Sequence, residues 1–129
     1  MKPRLVLLYT RDPNFEGILA QTLGGMGAVV LIARNVNEVL QIVCRRGREL
    51  AFALIDFDGG CRGMTLLSAI HTCFENLPVL VTASEEAEHV AAVAQANGAR
   101  VCLNKPIRAA MFADAISNLT APLGQLASA

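Results

Sequence analysis

The 129-residue chain has no tryptophan, one tyrosine, two histidines, four scattered cysteines and no excess of either charge. Eleven Lys and Arg balance eleven Asp and Glu, so no global field draws nucleic acid or an anionic membrane, and neither is expected as a partner. Cys44, Cys61, Cys73 and Cys102 form no C-x-x-C pair, which argues against a zinc site. A disulfide framework is not expected at this size and apolarity, and reduced thiols in a cytoplasmic protein are the expectation. His71 and His89 stand on different predicted helices and read as ordinary helix histidines. The apolar run near the N-terminus, residues 5–9, is far shorter than a signal-peptide core, and no window offers the roughly twenty apolar residues of a membrane span. With so few aromatic rings, stacking partners for a flavin are scarce.

What the chain has in quantity is apolar surface. It is 53% hydrophobic and 17% charged, which suits one domain with a buried core and excludes disorder. The domain is expected over residues 1–120. Residues 121–129, rich in Ala, Pro, Ser and Gly, read as a tail or linker stub.

Two periodic signals alternate. Short continuous apolar runs at residues 4–9, 28–33, 52–57, 78–82 and 101–104 read as strands covered on both faces. Between them lie helical stripes. Phe15, Ile18, Leu19, Thr22, Leu23 and Met26 mark the first, stopped by Gly24, Gly25 and Gly27. Asn35 caps the second, with Glu38 three residues on and Val36, Val39, Leu40 and Val43 as its stripe. Leu66, Ile70, Cys73 and Leu77 mark the third. Ser84 and the acids Glu85, Glu86 and Glu88 open the fourth, which Asn97-Gly98 ends. Phe112, Ala115, Ile116 and Leu119 mark the fifth. Strict alternation implies right-handed crossovers and an α/β sandwich, a parallel sheet with helices on both faces.

In such a sheet a ligand site lies beyond the C-terminal strand ends, where the strand order reverses. The first strand is followed by Thr10, Arg11, Asp12 and Pro13. The third ends in Asp56, Phe57, Asp58, Gly59 and Gly60, the fourth in Thr82, and the fifth in Asn104, Lys105 and Pro106. A carboxylate, a hydroxyl and an ammonium around one small anion suit phosphoryl chemistry: Asp56 as nucleophile, Thr82 as hydrogen-bond donor and Lys105 as counter-charge.

The segments LIDFDGG with Asp56, VLVTAS with Thr82 and ANGARVCLNKPI with Lys105-Pro106 resemble the receiver domain of two-component response regulators, over about residues 3–120. The resemblance implies the flavodoxin-like three-layer sandwich, with a five-stranded parallel sheet in order 2-1-3-4-5 and five helices. It implies a signalling domain rather than an enzyme, with Asp56 as phosphoacceptor and Thr82 and Lys105 as the residues that contact the phosphoryl group and switch. Thr10, Arg11, Asp12, Asp58 and Pro106 would line the site, and the Lys105-Pro106 peptide would be cis. A histidine kinase or histidine phosphotransfer protein would supply the phosphoryl group. An output domain or partner protein would dock on the face of the fourth helix, fifth strand and fifth helix. That face is alanine-rich, with Ala91, Ala92, Ala94, Ala96, Ala109, Ala110 and Ala113, and would also admit a second copy in a homodimer.

Three departures make this an atypical receiver. The family's pair of magnesium-binding acids falls at Thr10 and Arg11, so magnesium binding is weakened and no metal or other cofactor is expected to be held firmly. Arg11 is expected to pair with Asp56 in the metal's place. The loop after Asp56 lacks the family's proline, is one residue short before Gly63 and carries the extra acid Asp58. Cys102 occupies the fifth-strand position where the family has a switching aromatic ring, so coupling from Thr82 to the outer face needs another route. Weak or metal-independent phosphorylation, or a phosphorylation-independent adaptor, follows from these changes.

Two other classes share single features with this sequence. Asp56-Phe57-Asp58-Gly59 looks like the Asp-x-Asp-Gly motif of haloacid-dehalogenase-type phosphatases. That motif lies on the first strand, however, and here two strand–helix units precede it. After Lys105 the next acid is Asp114, inside a helix. A flavodoxin-like nucleotide or flavin binder needs a glycine-bearing phosphate loop after the first strand, and Thr10-Arg11-Asp12-Pro13 has none.

Overall fold

Apolar strands without polar alternation can only be buried on both sides, and the computed structural model builds the chain around that requirement. It describes residues 4–57, 62–83, 88–105 and 107–120. The strands are β1 (Arg4–Tyr9), β2 (Ala28–Ala33), β3 (Leu50–Asp56), β4 (Val79–Ala83) and β5 (Val101–Asn104). The helices are α1 (Pro13–Gly25), α2 (Val36–Arg46), α3 (Arg62–Cys73), α4 (Glu88–Ala96) and α5 (Ala109–Thr120), with a short 3-10 turn at Gly47–Glu49. All strand pairs are parallel, in the order β2-β1-β3-β4-β5. This is the flavodoxin-like sandwich. The order reverses between β1 and β3, so the C-terminal ends of those two strands flank the crevice where a site forms.

Alternate residues of each strand enter two separate cores. Leu7, Ala53, Ile55 and Val81 pack with Val39 and Val43 of α2, Leu66, Leu67 and Ile70 of α3 and Ala94 of α4. Val6, Leu8, Phe52, Leu54 and Leu80 pack with Leu19 and Leu23 of α1 and Phe112, Ala115, Ile116 and Leu119 of α5. Burying each large side chain contributes roughly 1.5–3 kcal/mol, which is why both faces of the strands read as apolar.

Local chemistry fixes the helix starts. Asp12 caps α1, its Oδ1 accepting from the N–H of Asn14 at 3.0 Å and of Phe15 at 3.4 Å, with Pro13 in the first helical position. Asn35 caps α2, its Oδ1 accepting from the Glu38 N–H at 2.9 Å, and the Glu38 carboxylate accepts from the Arg34 N–H. The basic cluster Arg45, Arg46 and Arg48 is exposed, and Arg46 pairs with Glu49.

The structure also departs from the sequence-based expectations. β3 starts at Leu50, two residues early, because Leu50 pairs with Leu5 before the register shifts. β4 starts at Val79, since Pro78 lacks an N–H for the ladder, although its carbonyl accepts from Ala53. Ile18 and Met26 of the first stripe are exposed, so α1 buries a narrower face through Leu19 and Leu23. Cys73 is exposed, whereas Leu67, outside the expected stripe, is buried. Ser84, Glu85, Glu86 and residues 121–129 lie outside the described residues. Among the described residues no helix is long and apolar enough to cross a membrane.

Gly98 ends the turn after α4 with φ +111°, and a Cβ there would meet the His71 ring at 2.7 Å. Gly98→Ala should therefore lower stability by about 2–3 kcal/mol, from the left-handed backbone and the clash together. Gly17 sits inside α1 with nothing within 4 Å of a Cβ, and Gly17→Ala should raise stability by about 0.5–1 kcal/mol. Urea unfolding of both variants checks the opposite signs.

Candidate functional site

Four strand ends converge on one carboxylate. Asp56 is the last residue of β3 and lies in register with Thr82 of β4. Thr10 follows β1. Lys105 follows β5, where its backbone N–H donates to the Ala83 carbonyl at 2.8 Å and fixes the chain. The Thr82 carbonyl accepts from the Phe57 N–H at 2.8 Å, which holds the exit from β3 against β4.

The Asp56 side chain has no exposed surface, and the Lys105 side chain keeps 19% of its own. A carboxylate in that position must be neutralised and hydrogen-bonded. Thr10 donates its hydroxyl to Oδ2 at 2.6 Å, and Thr82 donates to Oδ1 at 3.0 Å. The Lys105 ammonium bridges both oxygens, at 3.1 Å from Oδ1 and 3.2 Å from Oδ2. Thr10 Oγ1 also accepts from the Asp12 N–H at 3.2 Å, so its hydroxyl is oriented from both sides.

The other candidate residues are placed differently. Arg11 is exposed, and the expected Arg11–Asp56 pair does not form: the cation on Asp56 is Lys105. Arg11 lies beyond the end of β1, in a bend that leads to the Asp12 cap of α1. Asp12 spends Oδ1 on the start of α1. Asp58 and Pro106, with the Lys105-Pro106 peptide, lie outside the described residues. Cys102 is partly buried, and burial pushes its thiol up from the usual range, away from the reactive thiolate. The residue that sequence reasoning left in a helix stripe is Phe15, whose ring centroid lies 4.1 Å from the Lys105 ammonium. No local pattern marks it, since the ammonium comes near only through the fold.

Magnesium requires a near-octahedral shell of oxygens, usually with more than one anionic ligand. Among the described residues no three of His, Cys, Asp and Glu form a cluster that could hold a metal. Asp56 is the one carboxylate at the convergence point among them, and an ammonium already bridges its oxygens. The described residues alone do not make up such a shell.

Removing one partner of this pair strands the other. Lys105→Met should cost about 3 kcal/mol, the range for breaking a buried ion pair. Asp56→Asn combined with Lys105→Met should cost clearly less than the sum of the two single changes. A double-mutant cycle by denaturant unfolding measures the coupling, and an additive result would contradict the buried pair.

No protein-family model matches the sequence, and no curated protein matches it. Solved structures do. A response regulator receiver domain protein from Clostridium thermocellum superposes with a TM-score of 0.85 at 22% identity, over 95% of this chain and 98% of that one. The receiver domain of NtrX from Brucella abortus gives 0.80 at 20% identity, over 89% and 97%. A Burkholderia pseudomallei response regulator, whose structure carries a phosphorylated aspartic acid, a calcium ion and citrate, gives 0.77 at 21% identity, over 97% and 71%. At these identities the likeness is one of fold, and the chain has the fold of a response regulator receiver domain.

Proposed function

We propose that the chain is a receiver module of two-component signalling. In this reading it takes a phosphoryl group on Asp56 from a histidine kinase or histidine phosphotransfer protein without a resident divalent metal, then exchanges protein partners. The observation that carries the proposal is the set of donors on Asp56: two hydroxyls and one ammonium, from the ends of three other strands. The phosphorylated aspartic acid in the Burkholderia protein of the same fold supports it.

The chemistry follows from those atoms. An Asp56 oxygen attacks phosphorus in line, the bond from phosphorus to the donor's imidazole nitrogen breaks, and the freed imidazole keeps the electron pair and takes up a proton. The product is an acyl phosphate. Asp56 has no exposed surface, so Lys105, the partly exposed member, must swing aside to admit the donor and then return to the phosphoryl oxygens. Thr10 and Thr82 supply hydrogen bonds to the same charge. One ammonium offsets less charge than a divalent ion, with the exposed Arg11 as the nearby second cation, so transfer is slow. The output face is that of α4, β5 and α5, where Val93 and Met111 expose apolar surface. The domain acts as an acceptor and switch, with no turnover of its own substrate.

A second reading, a phosphorylation-independent adaptor, is favoured by the full enclosure of Asp56. Intact-mass spectrometry after incubation with acetyl phosphate separates the two. The expected result is a single phosphoryl adduct, hydroxylamine-labile, equal within about 2-fold in magnesium and in EDTA, and absent in Asp56→Asn. An adduct that requires magnesium overturns the metal-free chemistry. No adduct in either condition selects the adaptor.

A further inference from the structure

Lys105 is held from two sides. Its ammonium bridges the Asp56 oxygens, and the Phe15 ring of α1 lies 4.1 Å from it on another side. An ammonium over an aromatic face is attracted by the ring quadrupole, more strongly when water is excluded. Phe15 is itself fixed. Its N–H donates to the Asp12 carboxylate, and its ring packs against the core of Leu19, Leu23 and Phe112. Asp12 in turn donates its N–H to Thr10, which donates its hydroxyl to Asp56. The contacts close a circuit from Asp56 through Lys105, Phe15, Asp12 and Thr10 back to Asp56.

We propose that Phe15 is a positioning residue for Lys105, and that its ring couples the charge on Asp56 to the first turn of α1. The ammonium answers to two partners of different kinds. When Asp56 keeps its charge, Lys105 sits between carboxylate and ring. When that charge is removed, or is replaced by a larger one on a phosphoryl group, the ammonium moves relative to the ring, and the change is registered at α1. This runs through the helical layer opposite α2, α3 and α4, and needs no aromatic residue in β5. The proposal rests on the phosphoacceptor reading only for what alters Asp56 in use; the contact itself belongs to the resting domain.

The chain has only two lysines, Lys2 and Lys105, so a lysine-labelled sample gives two Cε–Hε signals by NMR. The Lys105 signal is expected upfield of Lys2 from the ring current. Phe15→Leu, which keeps the apolar packing, should abolish that displacement, and Phe15→Tyr should retain it. Asp56→Asn should shift the Phe15 ring signals, and should do so several-fold less in a Lys105→Met background. Lys105 signals unchanged by Phe15→Leu, or a ring response to Asp56→Asn that is equal in both backgrounds, overturns the proposal. Failure of Asp56 to form an acyl phosphate would end the phosphoacceptor reading and leave these NMR outcomes untouched, so the two failures are distinguishable.

Discussion

A buried negative charge organises the upper rim of this domain. Asp56 has no contact with solvent, and an ionised carboxylate in that state is tolerated only with a paired cation and filled hydrogen-bonding positions. The strand order places the ends of β1, β3, β4 and β5 close enough for Thr10, Thr82 and Lys105 to meet that requirement. The backbone bonds that hold Lys105 to Ala83 and Phe57 to Thr82 keep those ends in place. The hydrophobic cores on the two faces of the sheet make the scaffold stiff, and the scaffold makes the polar cluster affordable.

The same cluster bears on how a divalent ion would meet the described residues. A magnesium site needs excess negative charge directed at one point, so that the ion replaces repulsion with coordination. Here the Asp56 charge is already balanced by Lys105, and the position beside it holds a neutral Thr10 hydroxyl. A metal would have to displace the ammonium.

Much of the fold was legible because it rests on periodicity. Continuous apolar strands alternating with helical stripes specify a doubly covered parallel sheet, and the strand-end rule then picks out Asp56, Thr82 and Lys105 as neighbours. The errors have physical causes. Arg11 was expected to face Asp56, but β1 has ended before it, and the bend that leads into the Asp12 cap leaves Arg11 exposed. Ile18, Met26 and Cys73 fit the helical spacing but lie on the margins of their stripes, and the sheet covers only the centre of each. The role of Phe15 was out of reach. It depends on an ammonium 90 residues away in the chain, brought near by the crossing from β5 to the α1 side. Local pattern carries no trace of such a contact.

That contact also bears on how a balanced site could switch. A resting pair of one carboxylate and one ammonium has little net charge to drive a rearrangement. Adding a phosphoryl group leaves the same ammonium facing about one more negative charge than before. In the proposed switch that extra charge competes for Lys105 with the Phe15 ring and the Asp56 oxygens. An aromatic partner is suited to this because its attraction is weaker than an ion pair and varies smoothly with cation position. Among the described residues, Lys105 is held at rest by the ion pair and the ring together, and in the proposed switch a phosphoryl group competes with both. On that proposal the response is felt at α1, the helix whose first turn carries the ring.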